Sequence, residues 1–231
     1  MKAKTYILGL IAVAALAGMF WYGDWSRSKA DNSQTASIID QNGEQDENTG
    51  QSNEDNSANG IKVAASEANG DIILGSPEAP VTMVEYSSYL CGHCVNFHLN
   101  NLPTLIEKYV QTGKLKIIPR LVSPVELSAA VLCANEQDSF YEFNEYLFSH
   151  IQDLDSVDDV KSIVGKLGLN QEIFNACHGD NRYDDQIKDW FNKADADGVA
   201  GTPTFFINGE KIVGNQPLDV FESVIEKYSI Q

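Results

Sequence analysis

Two residues separate Cys91 from Cys94, and the pair lies where the apolar pattern changes from that of a strand to that of a helix. The mostly apolar run 81–87 before them is typical of a buried strand, and the spacing after them indicates a helix. Cys91 is therefore expected at the start of that helix, where unpaired N–H groups and the positive end of the macrodipole favour a thiolate. A thiolate attacks disulfides, so we predict Cys91 as nucleophile and Cys94 as the thiol that resolves the mixed disulfide.

A metal site is the alternative use for two such cysteines. A zinc site would need two more ligands, and Cys177-His178 is the only other adjacent pair of the right chemistry. The Gly92-His93 dipeptide between the first two cysteines and the lack of a second C-x-x-C in the sequence speak against zinc. We therefore predict no metal and no cofactor.

The order of predicted elements indicates an α/β fold built on one mixed sheet flanked by helices. A strand–helix–strand unit comes first and a hairpin followed by a helix comes last, with the turn marked by Asn208-Gly209. Between them lies a block, 123–198, in which apolar residues recur only at helical spacing, so we predict an inserted all-helical subdomain. The predicted strands are 71–75, 81–87, 114–122, 202–207 and 211–213.

Three prolines refine this outline. Pro103 predicts a kink or a restart of the helix near Leu102, because proline breaks a helix interior. Pro119 predicts a bulge or the end of its strand. Ser123-Pro124 predicts the start of the helical block, with Ser123 as the capping residue.

The N-terminal segment, residues 1–25, has the pattern of an export signal or a signal anchor. A basic start precedes an uncharged apolar run, 5–22, about long enough to cross a bilayer of roughly 30 Å. Ala15-Leu16-Ala17 resembles a cleavage site, which would release the protein. The aromatic residues Phe20-Trp21-Tyr22 are typical of a membrane interface and favour an uncleaved anchor.

Residues 26–66 are dominated by polar and acidic side chains and predict a disordered tether ahead of a folded domain, 67–231. The formal net charge of −17 argues against nucleic acid as a partner. An even number of cysteines after an export-like N-terminus fits an oxidising compartment, so we expect the bacterial periplasm or cell envelope, with the protein anchored in the inner membrane or secreted.

Three motifs together resemble one known family, the DsbA-like branch of the thioredoxin superfamily. They are Ser76-Pro77-Glu78-Ala79-Pro80, Cys91-Gly92-His93-Cys94 and Gly201-Thr202-Pro203-Thr204-Phe205-Phe206-Ile207-Asn208-Gly209. The resemblance runs from about Asp71 to the C-terminus. It implies a thioredoxin fold and an enzyme, a thiol:disulfide oxidoreductase that introduces disulfides into unfolded or folding exported proteins and is reoxidised by a membrane redox partner.

The resemblance also implies roles for individual residues. Thr202 and a cis Pro203 would bind the substrate chain beside Cys91. Glu85 falls on the family's buried acidic position and would accept or donate the proton of the buried cysteine, although a strand-end glutamate that reaches solvent is the alternative. His93 falls on the family's histidine between the cysteines and would stabilise the Cys91 thiolate. His98 and His150 fit ordinary helix-surface or core positions.

Two points leave alternatives open. Cys133 and Cys177, 44 positions apart, match a structural disulfide found in the helical insert of some members of this branch; two buried free thiols are the alternative. Gly92 stands where the best-known periplasmic oxidants carry proline, and Gly-His is the dipeptide of protein disulfide isomerase. An isomerase or reductase of the same fold therefore remains an alternative, as does a non-catalytic envelope protein that binds partners on a thioredoxin scaffold.

Overall fold

The computed structural model describes residues 63, 65–68, 70–154, 156 and 159–229. The predicted signal or anchor, 1–25, and nearly all of the predicted tether, 26–66, lie outside the described residues. Within the described part, no helix has the length and apolar character that crossing a membrane requires.

Six strands form one mixed sheet in the order β1-β2-β4-β3-β5-β6. Only β3 and β4 run parallel, and every other neighbouring pair is antiparallel. The strand β1 was not predicted, and it crosses the expected boundary between tether and domain, so regular structure begins earlier than residue 67. The strands are β1 Ala65–Ala68, β2 Asp71–Leu74, β3 Val81–Ser88, β4 Leu115–Ser123, β5 Thr204–Ile207 and β6 Glu210–Val213.

Pro119 lies inside β4, and the prediction of a bulge or a strand end at this residue was wrong. On one side β4 keeps a continuous parallel register with β3 from Leu115 to Leu121, in which Pro119 stands opposite Glu85, and the register shifts only after Ser87. On the other side the ladder with β2 contains a single pair, Leu74 with Ile117. Proline has no N–H to donate, so it is tolerated at a strand edge where the neighbouring strand forms few hydrogen bonds.

The helix α1 begins between the two cysteines, runs over residues 92–110 and changes its winding three times. Gly92–Asn96 and Leu102–Leu105 are α-helical, whereas Phe97–Asn101 and Ile106–Val110 are π-helical turns. The Leu102 N–H accordingly donates to the Phe97 carbonyl, five residues back. The predicted irregularity near Leu102 is thus a widened turn of one continuous helix, a form that occurs often at functional sites.

The described part of the insert contains five α-helices and one 3-10 turn, Ile151–Asp153, and its helical character is confirmed. The predicted cap was wrong, because Ser123 ends β4 and its hydroxyl bonds to that of Ser88, and the first helix begins one residue later than predicted. The helix begins at Val125, after a cis Ser123–Pro124 bond. The insert helices are α2 Val125–Asn135, α3 Phe140–His150, α4 Asp159–Lys166, α5 Gln171–Gly179 and α6 Asp184–Ala196, and α7 Leu218–Ser229 closes the described chain.

A disulfide joins the first and fourth helices of the insert. Cys133 on α2 and Cys177 on α5 are both fully buried, with their Cα atoms 5.7 Å apart. The bond closes a loop of 44 residues. It therefore holds two helices together that are distant in the chain.

A polar network ties the insert to the sheet. Arg120 on β4 makes two hydrogen bonds to the Asp71 carboxylate, at 3.1 and 2.8 Å, and the buried Trp190 indole N–H on α6 donates to the same carboxylate at 2.9 Å. Arg120 also donates to the Tyr86 hydroxyl, which donates to Asp197 at 2.6 Å. Asp197 begins the loop that returns to β5, so the network fixes the end of the insert.

Candidate active site

Cys91 caps the N-terminus of α1. Its Sγ atom accepts a hydrogen bond from the backbone N–H of Cys94 at 3.4 Å, and its carbonyl accepts from Val95 at 3.0 Å. The apolar strand β3 ends at Ser88, so its last residues carry the chain directly to the start of the helix. Cys91 is half-buried, and its sulfur is therefore within reach of another protein chain.

This position lowers the pKa of the Cys91 thiol. Partial burial acts to raise it, but hydrogen bonds from the Cys94 thiol, from the Thr202 hydroxyl and from the backbone N–H groups of Cys94 and His93 outweigh that effect. The thiol donates to the Thr202 carbonyl, with Sγ and O 3.1 Å apart, a contact that favours the protonated form. The hydrogen bonds that the sulfur accepts outweigh burial together, and those from the backbone N–H groups are the contribution expected at a helix start.

Cys94 has the opposite environment. It is completely buried, and this burial raises the pKa of its thiol to about 12, against weaker hydrogen bonds from Ser87 and Thr202. Two cysteines three positions apart in the sequence therefore differ strongly in acidity. A half-buried thiol with a lowered pKa beside a buried thiol with a raised pKa is the arrangement that separates an attacking cysteine from a resolving cysteine.

The loop before β5 faces the two cysteines. The Thr202–Pro203 peptide bond is cis, and Pro203 is buried while Thr202 is partly exposed. The Pro203 carbonyl accepts a hydrogen bond from the Gly214 N–H at 2.8 Å, and the Thr204 hydroxyl donates to the Gly201 carbonyl at 2.7 Å. These bonds hold the Thr202 carbonyl against the Cys91 sulfur.

The two residues between the cysteines are exposed. A Cβ atom at Gly92 would meet no atom within 4 Å, so a side chain has room there. His93 acts on the Cys91 sulfur through its backbone N–H. The stabilisation of the Cys91 thiolate by the His93 imidazole stays a prediction.

Glu85 is buried, with 1% of its surface exposed, so it is not a strand-end residue that reaches solvent. Its Oε1 atom lies 3.0 Å from His98 Nε2 on α1, and this imidazole is as buried as the carboxylate. The other ring nitrogen, Nδ1, lies 3.2 Å from Glu145 Oε1 on α3. The structure therefore pairs Glu85 with a histidine that the sequence analysis had treated as ordinary.

A signal for His98 was present in the sequence. It stands four residues after Cys94, so the two share one face of the helix, and Glu85 and Ser87 share one face of β3. Once β3 and α1 are known to pack together, these two periodicities predict that Glu85 faces His98 and that Ser87 faces Cys94. The contribution of Glu145 carried no such signal, because it comes from the insert, 47 residues beyond His98.

The structure does not bring the alternative zinc ligands together. Cys177 is bonded to Cys133, so its sulfur is not available to a site that includes Cys91 and Cys94. The His178 ring instead approaches the backbone carbonyl of Glu126, with Nε2 and O 3.1 Å apart.

Comparison with known proteins agrees with this geometry. A family profile described as Thioredoxin matches residues 67–227. The crystal structure of alpha-DsbA1 from Wolbachia pipientis is 30% identical and superimposes with a TM-score of 0.64, over 71% of this chain and 92% of that one. The Disulfide bond formation protein D of Bacillus subtilis is 23% identical over 68% of this chain and 77% of its own length.

A Rickettsia felis protein named as a candidate protein-disulfide oxidoreductase is 29% identical over 72% of this chain. The match spans 63% of the length of that relative. The family match, the fold and the site agree: the chain belongs to the DsbA-like branch of the thioredoxin superfamily.

Proposed function

We propose that this protein is a thiol:disulfide oxidoreductase that introduces disulfides into unfolded or folding exported proteins. One observation carries the proposal: Cys91 is half-buried with a lowered pKa, and Cys94 is buried with a pKa raised to about 12. A disulfide between them would leave a stable Cys91 thiolate when it is reduced, and a stable leaving thiolate favours transfer of the disulfide to a substrate.

The exchange proceeds in two steps that conserve electrons. A substrate thiolate attacks the Cys91 sulfur of the oxidised pair, the Cys91–Cys94 bond breaks, and Cys94 leaves with the electron pair and takes up a proton. The second thiolate of the substrate then attacks the substrate sulfur that is bonded to Cys91, and Cys91 leaves as the thiolate. The substrate has lost two electrons and gained a disulfide, while the enzyme has become the dithiol.

The substrate chain would bind beside the cis Pro203. In this position a strand of the substrate pairs with the backbone of Thr202, whose carbonyl already lies 3.1 Å from the Cys91 sulfur. Thr202 is partly exposed, and Leu90, the residue before Cys91, is exposed, so a peptide can contact both. Glu85 serves the proton exchange of Cys94 in this proposal.

We further propose that the protein acts in the bacterial periplasm or cell envelope. Residues 5–22 serve as an inner-membrane anchor or as a cleaved signal, and 26–66 as a tether. A membrane redox partner reoxidises the Cys91–Cys94 dithiol. The proposal rests on the apolar run, the polar segment after it and the even number of cysteines.

The decisive experiment compares the protein with its Cys91→Ala variant. The oxidised protein is mixed with a reduced peptide that contains two cysteines, and peptide oxidation is followed by mass spectrometry. The wild type should oxidise the peptide stoichiometrically, and Cys91→Ala should leave it at the uncatalysed rate. Equal rates would refute catalysis and favour a binding scaffold.

Thiol trapping in cells distinguishes the direction of exchange. An oxidase keeps the Cys91–Cys94 pair mostly oxidised, because its membrane partner restores the disulfide. A mostly reduced pair would refute the oxidase and favour the isomerase or reductase, for which the Gly92-His93 dipeptide is the supporting feature.

A further inference from the structure

Two asparagines on α1 contact the loop between β6 and α7, residues 214–217. The Asn101 Nδ2 atom donates to Asn215 Oδ1 at 2.9 Å and to the Gln216 carbonyl at 3.0 Å. The Asn215 Nδ2 atom in turn donates to Asn96 Oδ1. We call Asn96, Asn101 and Asn215 the amide clasp. It joins the helix that begins at the active-site cysteines to a loop 114 positions further along the chain.

The widened turn of α1 brings the two helix asparagines of the clasp together. In a regular α-helix, residues three or four positions apart share a face, whereas the π-helical turn Phe97–Asn101 closes its hydrogen bond five residues back. Asn96 immediately precedes this turn and Asn101 ends it, so they are five positions apart. The widened turn therefore allows the Asn215 side chain to bond to both of them.

The residue before Asn215 holds the active-site loop. The Gly214 N–H donates to the Pro203 carbonyl at 2.8 Å, and the next residue along the chain is the one that the clasp attaches to α1. The connection from α1 through Asn215 and Gly214 to Pro203 thus consists of hydrogen bonds and one peptide link. The clasp fixes the position of Pro203 relative to the helix that Cys91 caps.

A second contact between the same two parts of the molecule depends on the redox state. The Cys91 thiol donates to the Thr202 carbonyl, with Sγ and O 3.1 Å apart. When Cys91 and Cys94 form a disulfide, neither sulfur carries a proton to donate, so this hydrogen bond is lost. The bonds of the amide clasp involve no sulfur and no titratable group. They are therefore available in the oxidised protein, the form that meets a reduced substrate.

We propose that Asn215 is a positioning residue that holds the Thr202-Pro203 segment in the orientation that an incoming substrate chain requires. Asn96 and Asn101 form the helix side of the clasp and act through Asn215. The inference rests on the proposed function, in which the substrate pairs with the Thr202 backbone. The clasp asparagines act through the loop and not on the sulfurs. The clasp should thus affect peptide binding and leave the chemistry of the two cysteines unchanged.

The test compares a substrate that pairs with the Thr202 backbone with one too small to do so. The oxidised protein reacts either with the reduced two-cysteine peptide or with dithiothreitol, and acid quench with mass spectrometry gives the second-order rate constants. The variants are Asn215→Ala, Asn101→Ala and the matched control Asn100→Ala. Asn100 lies in the same turn of α1, is exposed, and donates to the Asn96 carbonyl of its own helix.

Asn215→Ala and Asn101→Ala should each react with the peptide about three- to tenfold more slowly than the wild type, which is the range expected for the loss of one hydrogen bond. Both should react with dithiothreitol at the wild-type rate. At high peptide concentration their rates should approach that of the wild type, because only binding is weakened. Asn100→Ala should match the wild type in both reactions. Asn215 and Asn101 are partly exposed, so both variants should fold.

Hydrogen exchange at one backbone group measures the positioning directly. The Gly214 N–H is bonded to the Pro203 carbonyl, and NMR of the oxidised protein follows its exchange with deuterium. Exchange should be about three- to tenfold faster in Asn215→Ala and Asn101→Ala, because the loop opens more often once a bond of the clasp is removed. Asn100→Ala should exchange at the wild-type rate.

Several outcomes would overturn the proposal. Slower reaction of the clasp variants with dithiothreitol as well would mean that the clasp supports the cysteine pair or the fold. Wild-type rates with the peptide would mean that it does not position the segment, and an effect of Asn215→Ala without one of Asn101→Ala would mean that Asn215 acts outside the clasp.

Failure of the proposed function is a separate result. If the wild type itself does not oxidise the peptide, that function is refuted, and exchange at the Gly214 N–H then decides the positioning alone. Faster exchange in both clasp variants would support it, and unchanged exchange would overturn it.

Discussion

The two cysteine pairs of this protein differ in almost every physical respect. Cys91 and Cys94 are neighbours in sequence at the start of a helix, and both are free thiols. Cys133 and Cys177 are 44 residues apart, fully buried and joined by a disulfide between two helices. The same side-chain chemistry is thus placed once at an accessible helix N-terminus and once inside an all-helical core.

The difference shows how environment assigns a role to a disulfide. An accessible thiol with a lowered pKa both attacks and leaves readily, which suits a pair that cycles. A buried disulfide that closes a long loop is out of reach of other thiols and constrains the unfolded chain, which suits a pair that stabilises. Four predictions test this contrast.

The largest effect is expected on turnover. Cys91→Ala and Cys94→Ala should both reduce catalytic oxidation of the two-cysteine peptide to the uncatalysed rate, because neither variant can form the active-site disulfide. When the oxidised peptide is added instead, only reduced Cys94→Ala should accumulate a mixed disulfide, because the Cys91 thiolate attacks the peptide disulfide, releases one peptide thiolate and has no Cys94 thiol to resolve the product; a non-reducing gel and mass spectrometry detect it. Cys133→Ala/Cys177→Ala should retain turnover while it is folded, and a loss of turnover in that folded variant would contradict the assignment of roles.

The next effect concerns stability. Cys133→Ala/Cys177→Ala should reduce the free energy of unfolding by up to about 4 kcal/mol, the chain-entropy cost of a loop of 44 residues. Urea denaturation followed by circular dichroism measures it. Cys91→Ala/Cys94→Ala is the matched control: it removes two cysteines that are free in the structure and should lower stability much less. Comparable losses in the two double variants would remove the contrast.

The pH dependence of stability tests the buried thiol. Burial raises the pKa of Cys94 from 9.0 to about 12, so between these values the unfolded state loses a proton that the folded state keeps. The unfolded state then binds fewer protons, and the stability of the reduced protein should fall as pH rises through this window, by at most about 1.4 kcal/mol per pH unit.

Urea midpoints of the reduced wild type and of Cys94→Ala from pH 8 to pH 11 measure this effect. The difference between the two curves isolates Cys94 from the buried tyrosines, which titrate in the same range. Parallel curves would show that the Cys94 thiol ionises as easily in the folded protein as in the unfolded chain.

The smallest effect is expected between the active-site cysteines. Gly92→Ala should raise the free energy of unfolding by about 0.4–1 kcal/mol, because Gly92 starts a helix and an added Cβ meets no atom within 4 Å. Gly209→Ala is the opposite control. This variant should be less stable than the wild type, because Gly209 has a φ of +88° in the β5–β6 turn. Thermal denaturation measures both, and a loss in Gly92→Ala would mean that its N-terminal turn needs glycine.

Short-range patterns in the sequence predicted most of the fold. The strand–helix junction at Cys91, the Asn208-Gly209 turn and the five insert helices each follow from side chains within one element or one turn. The prolines were harder. The prediction of a bulge or a strand end at Pro119 was wrong, because the sequence does not show how many hydrogen bonds the neighbouring strand forms at that edge. Ser123 was taken for a helix cap, because a serine before proline fits a strand end equally well.

For the candidate site, the sequence by itself determined the chemistry, and the tertiary structure decided the environment. Cys91 and Cys94, the Thr202-Pro203 segment and Glu85 could be named from motifs, because their spacing is local or belongs to a family pattern. The partner of Glu85 and the solvent-facing Glu145 could not be named. His98 and Glu145 meet only because the insert folds back over α1, a contact between residues 47 positions apart that no local periodicity encodes.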